Sequence, residues 1–235
     1  MQSLALERSG VKPVTVITGA TGGIGSALAR SLEDHDLILL GRDAGKLEKL
    51  CASLPNAKPV VLELRNPESF RLALEPFTRI DNLIQNAGMA ELGSVQETSL
   101  EVWHETFEVN VFACVELTRV CLDRLRASRG QILFVNSIAG LQSNAGWSAY
   151  AASKFALRAF TDALDAEERP NGIRVMGVYP GRTATAMQLK VRVQEGAEYE
   201  PETYTQPETL ANTIKTMLET PRDSLLTQVI VSRMG

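Results

Sequence analysis

The chain has 235 residues, 44% of them hydrophobic and 22% charged, with a formal net charge of −4. That length is ample for a sizeable buried core, and without a global basic field neither nucleic acid nor an anionic membrane surface is expected as the principal partner. No run approaches the ~18 apolar residues of a membrane helix and residues 1–12 hold no apolar signal core, so the expectation is a soluble, cytoplasmic protein.

From Pro13 onward, short β-branched or leucine-rich runs alternate with longer helical patterns, the signature of βαβ units and a parallel sheet. The pattern predicts strands at 14–18, 36–40, 59–64, 82–85, 131–136, 174–179 and 228–231, and helices at 24–33, 44–53, 67–75, 100–126, 148–168 and 207–219. No linker, low-complexity tract or repeat interrupts the rhythm, so one domain is expected over residues 1–235. The longest stretch without clear period, 182–206, reads as a substrate lid.

The first strand runs into Thr18-Gly19-Ala20-Thr21-Gly22-Gly23-Ile24-Gly25, which opens the first helix. Residues lacking Cβ let the backbone come close to a ligand, and the positive end of a helix favours phosphate there. The spacing is Gly-x-x-x-Gly-x-Gly rather than the common Gly-x-Gly-x-x-Gly fingerprint, and only its place after a strand makes it a phosphate-binding candidate. Further on, Tyr150 and Lys154 stand one helical turn apart. Such a pair shares a helix face, so the ammonium is expected to favour the ionised phenol and prepare Tyr150 for proton exchange with an alcohol or carbonyl. Taken alone, a Tyr-x-x-x-Lys is more often a half-buried tyrosine beside a solvated lysine. Cys51, Cys114 and Cys121 contain no Cys-x-x-Cys pair and read as reduced core or interface residues; with only His35 and His104 besides, no metal site is expected.

Together these motifs resemble the short-chain dehydrogenase/reductase family, in its short single-domain branch. The glycine turn is similar to that family's cofactor turn, Asn86-Ala87-Gly88 to its Asn-Ala-Gly motif, and Tyr150 with Lys154 to its catalytic pair; Asn110, Ser137 and Pro180-Gly181 also fall where the family pattern wants them. The resemblance implies an α/β, doubly wound Rossmann-type fold with a mostly parallel seven-stranded sheet and helices on both faces. It also implies a tetrad. Ser137 would hydrogen-bond the substrate oxygen, Tyr150 would be the general acid/base, Lys154 would tune the phenol and bind the nicotinamide ribose, and Asn110 would interrupt its helix and hold a proton-relaying water. The cofactor residues implied are Gly19, Thr21, Gly23, Ile24, Gly25, Arg42, Glu63, Leu64, Asn86, Ala87, Gly88, Tyr150, Lys154, Pro180, Gly181 and a threonine, Thr183 or Thr185.

At the end of the second strand Gly41 takes the place of the usual acid and Arg42 follows, which points to NADP (NADPH) over NAD, with Asp43 as the N-cap of the next helix. Glu63-Leu64 replaces the aspartate that many relatives carry at the adenine, leaving that contact open. Substrate walls are expected from Gln142, Trp147 and Met187, with Leu92, Leu141 and Asn144 nearby. Val111, Val115, Leu117 and Leu122 would either cover the sheet or line the helix seam of a homodimer or homotetramer. The expected activity is reduction of a ketone or aldehyde to an alcohol, or the reverse, as an NADP-dependent oxidoreductase acting on a small-molecule carbonyl or alcohol. The rivals are an epimerase or dehydratase with transient nicotinamide redox, and a nucleotide-responsive binding or regulatory protein with vestigial activity.

Overall fold

Seven parallel strands form one sheet in the order β3-β2-β1-β4-β5-β6-β7, as seen in a computed structural model that describes residues 10–233. The strands are β1 (Val14–Thr18), β2 (Asp36–Gly41), β3 (Ala57–Val61), β4 (Asn82–Gln85), β5 (Gln131–Val135), β6 (Arg174–Pro180) and β7 (Gln228–Val231). Helices α1 (Gly23–Ser31), α2 (Ala44–Ala52), α3 (Phe70–Leu74), α4 (Leu100–Phe107), α5 (Ala113–Ser128), α6 (Ser148–Glu168), α7 (Ala186–Gln194) and α8 (Pro207–Glu219) follow in chain order. This is the expected doubly wound α/β architecture. Most of the 1–12 segment lies outside the described residues.

The strands are apolar on both faces because both are covered. Consecutive residues part company: Val16, Ile38 and Ile132 pack with α3, α5 and α6, whereas Ile17, Leu39 and Leu133 pack with α1, α2 and α8. Leu117, Cys114 and Cys121 belong to the first of these cores, so they cover the sheet, and Leu122 packs partly against them. The three cysteines are free thiols.

Three elements depart from the sequence pattern. The third strand is Ala57–Val61 rather than 59–64: it pairs with β2 from Leu37 opposite Ala57, and Pro59 is tolerated inside it because, among the described residues, β3 is an edge with no neighbour on its far side. The 100–126 helix is broken by a π turn, Glu108–Phe112, centred on the buried Asn110. The 182–206 segment contains helix α7, hidden in the sequence because Leu189 and Val193 are exposed and blur its apolar period.

At the amino ends of the strands a buried polar seam crosses the sheet. His35 Nδ1 lies 2.8 Å from Thr15 Oγ1, Asn82 Nδ2 donates to Thr15 Oγ1 at 2.8 Å, Gln131 Nε2 donates to Asn82 Oδ1 at 3.1 Å, and Arg174 Nε donates to Gln131 Oε1 at 2.9 Å. The opposite, carboxyl ends carry the open grooves, where open parallel sheets place ligands. Among the described residues no helix is long and apolar enough to cross a membrane.

Candidate active site

Strand β1 ends in a turn that only small residues can make. Gly19 has φ +62°, and a Cβ there would lie 2.9 Å from Ala87 Cα; a Cβ on Gly23 would lie 2.7 Å from Thr185 Cγ2. The turn is fastened to the end of β4. Thr18 Oγ1 accepts from the backbone N–H of Asn86 at 3.0 Å and of Ala87 at 2.9 Å, while Asn86 Nδ2 donates to Thr18 O at 3.0 Å and Gly19 O at 3.2 Å. Asn86 therefore shapes the glycine turn in addition to lining the groove beside it.

That groove, about 500 Å³, runs past Gly19, Thr21, Gly23 and Ile24, then Arg42, then Glu63 and Leu64, and back to Ala87 and Gly88. Asp43 caps α2 as expected, its carboxylate accepting from Lys46 N at 3.0 Å, which leaves Arg42 at the groove wall. Glu63 and Leu64 sit just beyond β3 rather than within it. Gly25 does not line the groove. It is buried beneath the turn, where a Cβ would come within 2.2 Å of Gly19 O, so its role is packing.

A second cavity, about 220 Å³, adjoins the groove through Ile24, Asn86, Gly88, Thr185 and Met187. Its floor holds Ser137, Tyr150 and Lys154; Pro180, Gly181 and Thr183 close one side, and Gln142, Trp147 and Met187 stand at the walls. Asn144 lines it too, but Leu92 and Leu141 do not. Gln142 and Asn144 are exposed. Sequence reasoning missed Gln188, Val191 and Ala90 in this cavity, and Arg65, Glu105 and Lys190 at the groove; no motif marks them, because Gln188, Lys190 and Val191 come from α7, which the sequence pattern hides, and the others from separate loops and from α4.

Tyr150 lies in the first turn of α6 and is buried, with its ring edge-on to Trp147 at 5.8 Å between centroids. Burial pushes the phenol pKa up, and hydrogen bonding with the Ser137 hydroxyl draws it back. Lys154, one turn later, is 4% exposed and burial lowers its pKa to about 8. Its Nζ lies 5.8 Å from the Tyr150 ring centroid and donates to Val135 O at 3.1 Å. The expectation that the ammonium pulls the phenol down is thus not met here: both groups are desolvated, and desolvation dominates each.

Asn110 lines neither cavity. Its amide is used in holding the wall together, with Nδ2 donating to Met89 O at 2.9 Å and to Ser153 Oγ at 3.0 Å, and Oδ1 accepting from Met89 N at 2.9 Å. Of the two candidate threonines, Thr185 lies against Gly23 and caps α7 by accepting from Gln188 N at 3.2 Å. Thr183 is buried, bridged to Thr205. Helix α7 is held over the site by Glu91, whose carboxylate accepts from both Lys190 and Gln194, and Arg182 forks onto Glu195 at 3.0 and 2.8 Å.

A family model for short chain dehydrogenase matches residues 13–196. Among curated proteins the chain is 36% identical over 203 residues to dehydrogenase/reductase SDR family member 7B of Bos taurus, covering 79% of this chain and 62% of the relative. It is 30% identical over 196 residues to the mitochondrial D-beta-hydroxybutyrate dehydrogenase of Mus musculus, covering 76% and 57%. The chain thus spans about three-fifths of the length of the curated relatives it matches. Among solved structures, an alcohol dehydrogenase of Thermococcus sibiricus complexed with 5-hydroxy-NADP superposes with TM-score 0.85 at 27% identity, covering 94% of this chain and 96% of that one. A closed form of serine dehydrogenase complexed with NADP+ gives TM-score 0.87 at 25% identity, covering 94% of each chain. With its family model matched over most of its length and the glycine turn, tyrosine and lysine assembled at the carboxyl ends of the strands, this chain belongs to the short-chain dehydrogenase/reductase family.

Proposed function

We propose that this protein is an NADP-dependent oxidoreductase that reduces a ketone or aldehyde to an alcohol, or runs the reverse, with Tyr150 as general acid/base. The observation that carries this reading is the convergence of Ser137, Tyr150 and Lys154 on the floor of a cavity continuous with the glycine-turn groove. The groove fits a dinucleotide: a Cβ would crowd the turn at Gly19 and Gly23, and Gly41 takes the place of an acid for the ribose hydroxyls, with Arg42 beside it at the groove wall. Thr21, Ile24, Ala87 and Gly88 would line its phosphate and ribose path, with Thr185 at the junction of the two cavities.

The nicotinamide, when bound, would supply or accept the hydride. Ser137 would hold the substrate oxygen by a hydrogen bond and orient it toward Tyr150. The phenol, kept protonated by burial, is suited to give its proton to the nascent alkoxide and to take one back in the oxidative direction. Lys154 would bind the ribose and hold positive charge beside the phenol, and Asn110 would position Lys154 through Ser153. Arg42 favours NADP because a guanidinium can fork onto a 2′-phosphate. The 182–206 segment would act as a lid. Exposed Phe112, at the start of α5, and Phe155, on α6, support self-association as a homodimer or homotetramer. Three unpaired cysteines support a reducing compartment, the cytoplasm.

The test is oxidation of NADPH and NADH by the purified protein against a panel of ketones, aldehydes and ketoacyl thioesters, with Tyr150→Phe alongside. Turnover that prefers NADPH and vanishes in a variant with unchanged folding and nucleotide affinity supports the reading. Nucleotide binding with no turnover across the panel points instead to a nucleotide-responsive regulator, and binding of neither nucleotide removes the cofactor argument.

A further inference from the structure

We infer that Gln188, on helix α7, reads the substrate by donating a hydrogen bond to an uncharged oxygen, so that the substrate is a neutral carbonyl compound bearing a second oxygen acceptor such as an ester. This deepens the oxidoreductase reading and rests on it.

The cavity above Tyr150 has largely apolar walls, among them Ala90, Trp147, Met187 and Val191. Gln188 enters the same cavity from α7, one turn before Val191. It is 9% exposed, and its Nε2 is buried with no hydrogen-bond partner, although its backbone N–H is taken by Thr185 Oγ1. The other buried side-chain atoms without partners among the described residues, Ser148 Oγ, Asp165 Oδ1 and Tyr179 Oη, belong to residues that do not line this cavity. A buried amide nitrogen without an acceptor is costly to keep, and rotation about its last bond lets it face either way. The cavity beside it is where an acceptor can arrive.

Charge decides what that acceptor is. The charged side chains lining the cavity are Lys154 and Arg182. Lys154 Nζ is engaged by Val135 O, and Arg182 is forked onto Glu195, which Arg192 also holds at 2.9 Å. With Lys154 given to the nicotinamide ribose in the oxidoreductase reading, a carboxylate entering the cavity would have to break the Arg182–Glu195 fork to find another cation, whereas a neutral oxygen needs only the Gln188 amide. Both ends of α7 therefore work together: Glu195 neutralises the one arginine at hand, and Gln188 offers a neutral donor in its place.

The experiment measures kcat/KM with NADPH for ethyl acetoacetate, for acetoacetate, and for the straight-chain methyl ketone of the same length as the ester, in wild type and Gln188→Met. Wild type is expected to prefer the ester to both others. In Gln188→Met the ester should fall about 10- to 100-fold while the methyl ketone stays within about twofold. Nucleotide affinity should be unchanged, and the melting temperature should not fall, since the variant removes an unpartnered buried amide. An unchanged ester preference, or equal losses for ester and methyl ketone, would overturn the Gln188 assignment and leave the reductase reading standing. Preference for acetoacetate in wild type would overturn the neutral-substrate inference. Nucleotide binding without reduction of any carbonyl would overturn the oxidoreductase reading and this assignment with it.

Discussion

Asn110 Nδ2 donates to Ser153 Oγ at 3.0 Å, joining the π turn between α4 and α5 to the α6 residue that immediately precedes Lys154. Ser153 Oγ in turn donates to the Tyr150 backbone carbonyl at 2.7 Å, and the Asn110 amide closes a two-way bond with the Met89 backbone. The turn, the loop after β4 and the helix that carries Tyr150 and Lys154 are thereby locked to one another. Asn110→Ala strands these partners in a buried site and is expected to cost about 2–3 kcal/mol of stability. Turnover should fall more than nucleotide affinity does. Thermal unfolding and steady-state kinetics on the same preparation check both halves.

Burial of Lys154 makes part of the stability depend on pH. Its folded pKa, about 8, lies below its usual 10.5, so between these values the unfolded chain binds more protons and stability rises with pH; below about 8 the penalty for burying the charge is present in full. Lys154→Met removes this penalty along with the ammonium. The variant's stability relative to wild type should therefore be greatest near pH ~7 and decline by about 1 kcal/mol by pH ~9. Denaturant midpoints at the two pH values would show it, and a gap that widens with pH would contradict a depressed lysine.

Arg42 stands exposed at the groove wall, next to the cap of α2. On the NADP reading, Arg42→Asp should reverse the nucleotide preference, lowering kcat/KM for NADPH relative to NADH by about 10- to 100-fold, because a charge-assisted bond to the 2′-phosphate would be lost and a repulsion introduced. Melting temperature should move little. Equal effects on both nucleotides would remove Arg42 from the phosphate.

Gly25 and Gly45 form a contrasting pair. A Cβ at Gly25 would meet Gly19 O at 2.2 Å, whereas one at Gly45 would make only an ordinary contact with Asp43 Oδ1 at 3.7 Å. Gly25→Ala should force the glycine turn to shift, destabilise the fold by about 1–3 kcal/mol and weaken nucleotide binding. Gly45→Ala, in the first turn of α2, should be neutral or stabilise by up to about 1 kcal/mol. Calorimetry and nucleotide titration of the two variants test this in parallel.

Much of this molecule is legible along the chain, because the interactions that set it are local. The strand runs, the glycine turn after Thr18, the Asp43 cap and the i,i+4 placement of Tyr150 and Lys154 each depend on residues within a few positions of one another. What the tertiary structure alone decided involves partners far apart in sequence. Desolvation of Tyr150 and Lys154 comes from the sheet and the cavity walls packed around them, and it outweighs the ammonium's pull on the phenol that their spacing suggests. Asn110 became a brace because Met89 and Ser153 come to it from 21 and 43 residues away. Helix α7 was masked by exposed Leu189 and Val193, and the unpartnered Gln188 amide acquires meaning only beside a cavity built from four separate stretches of the chain. Spacing along a chain reports which groups can share a face; burial and partner supply are properties of the packed whole, and those decide what each group does.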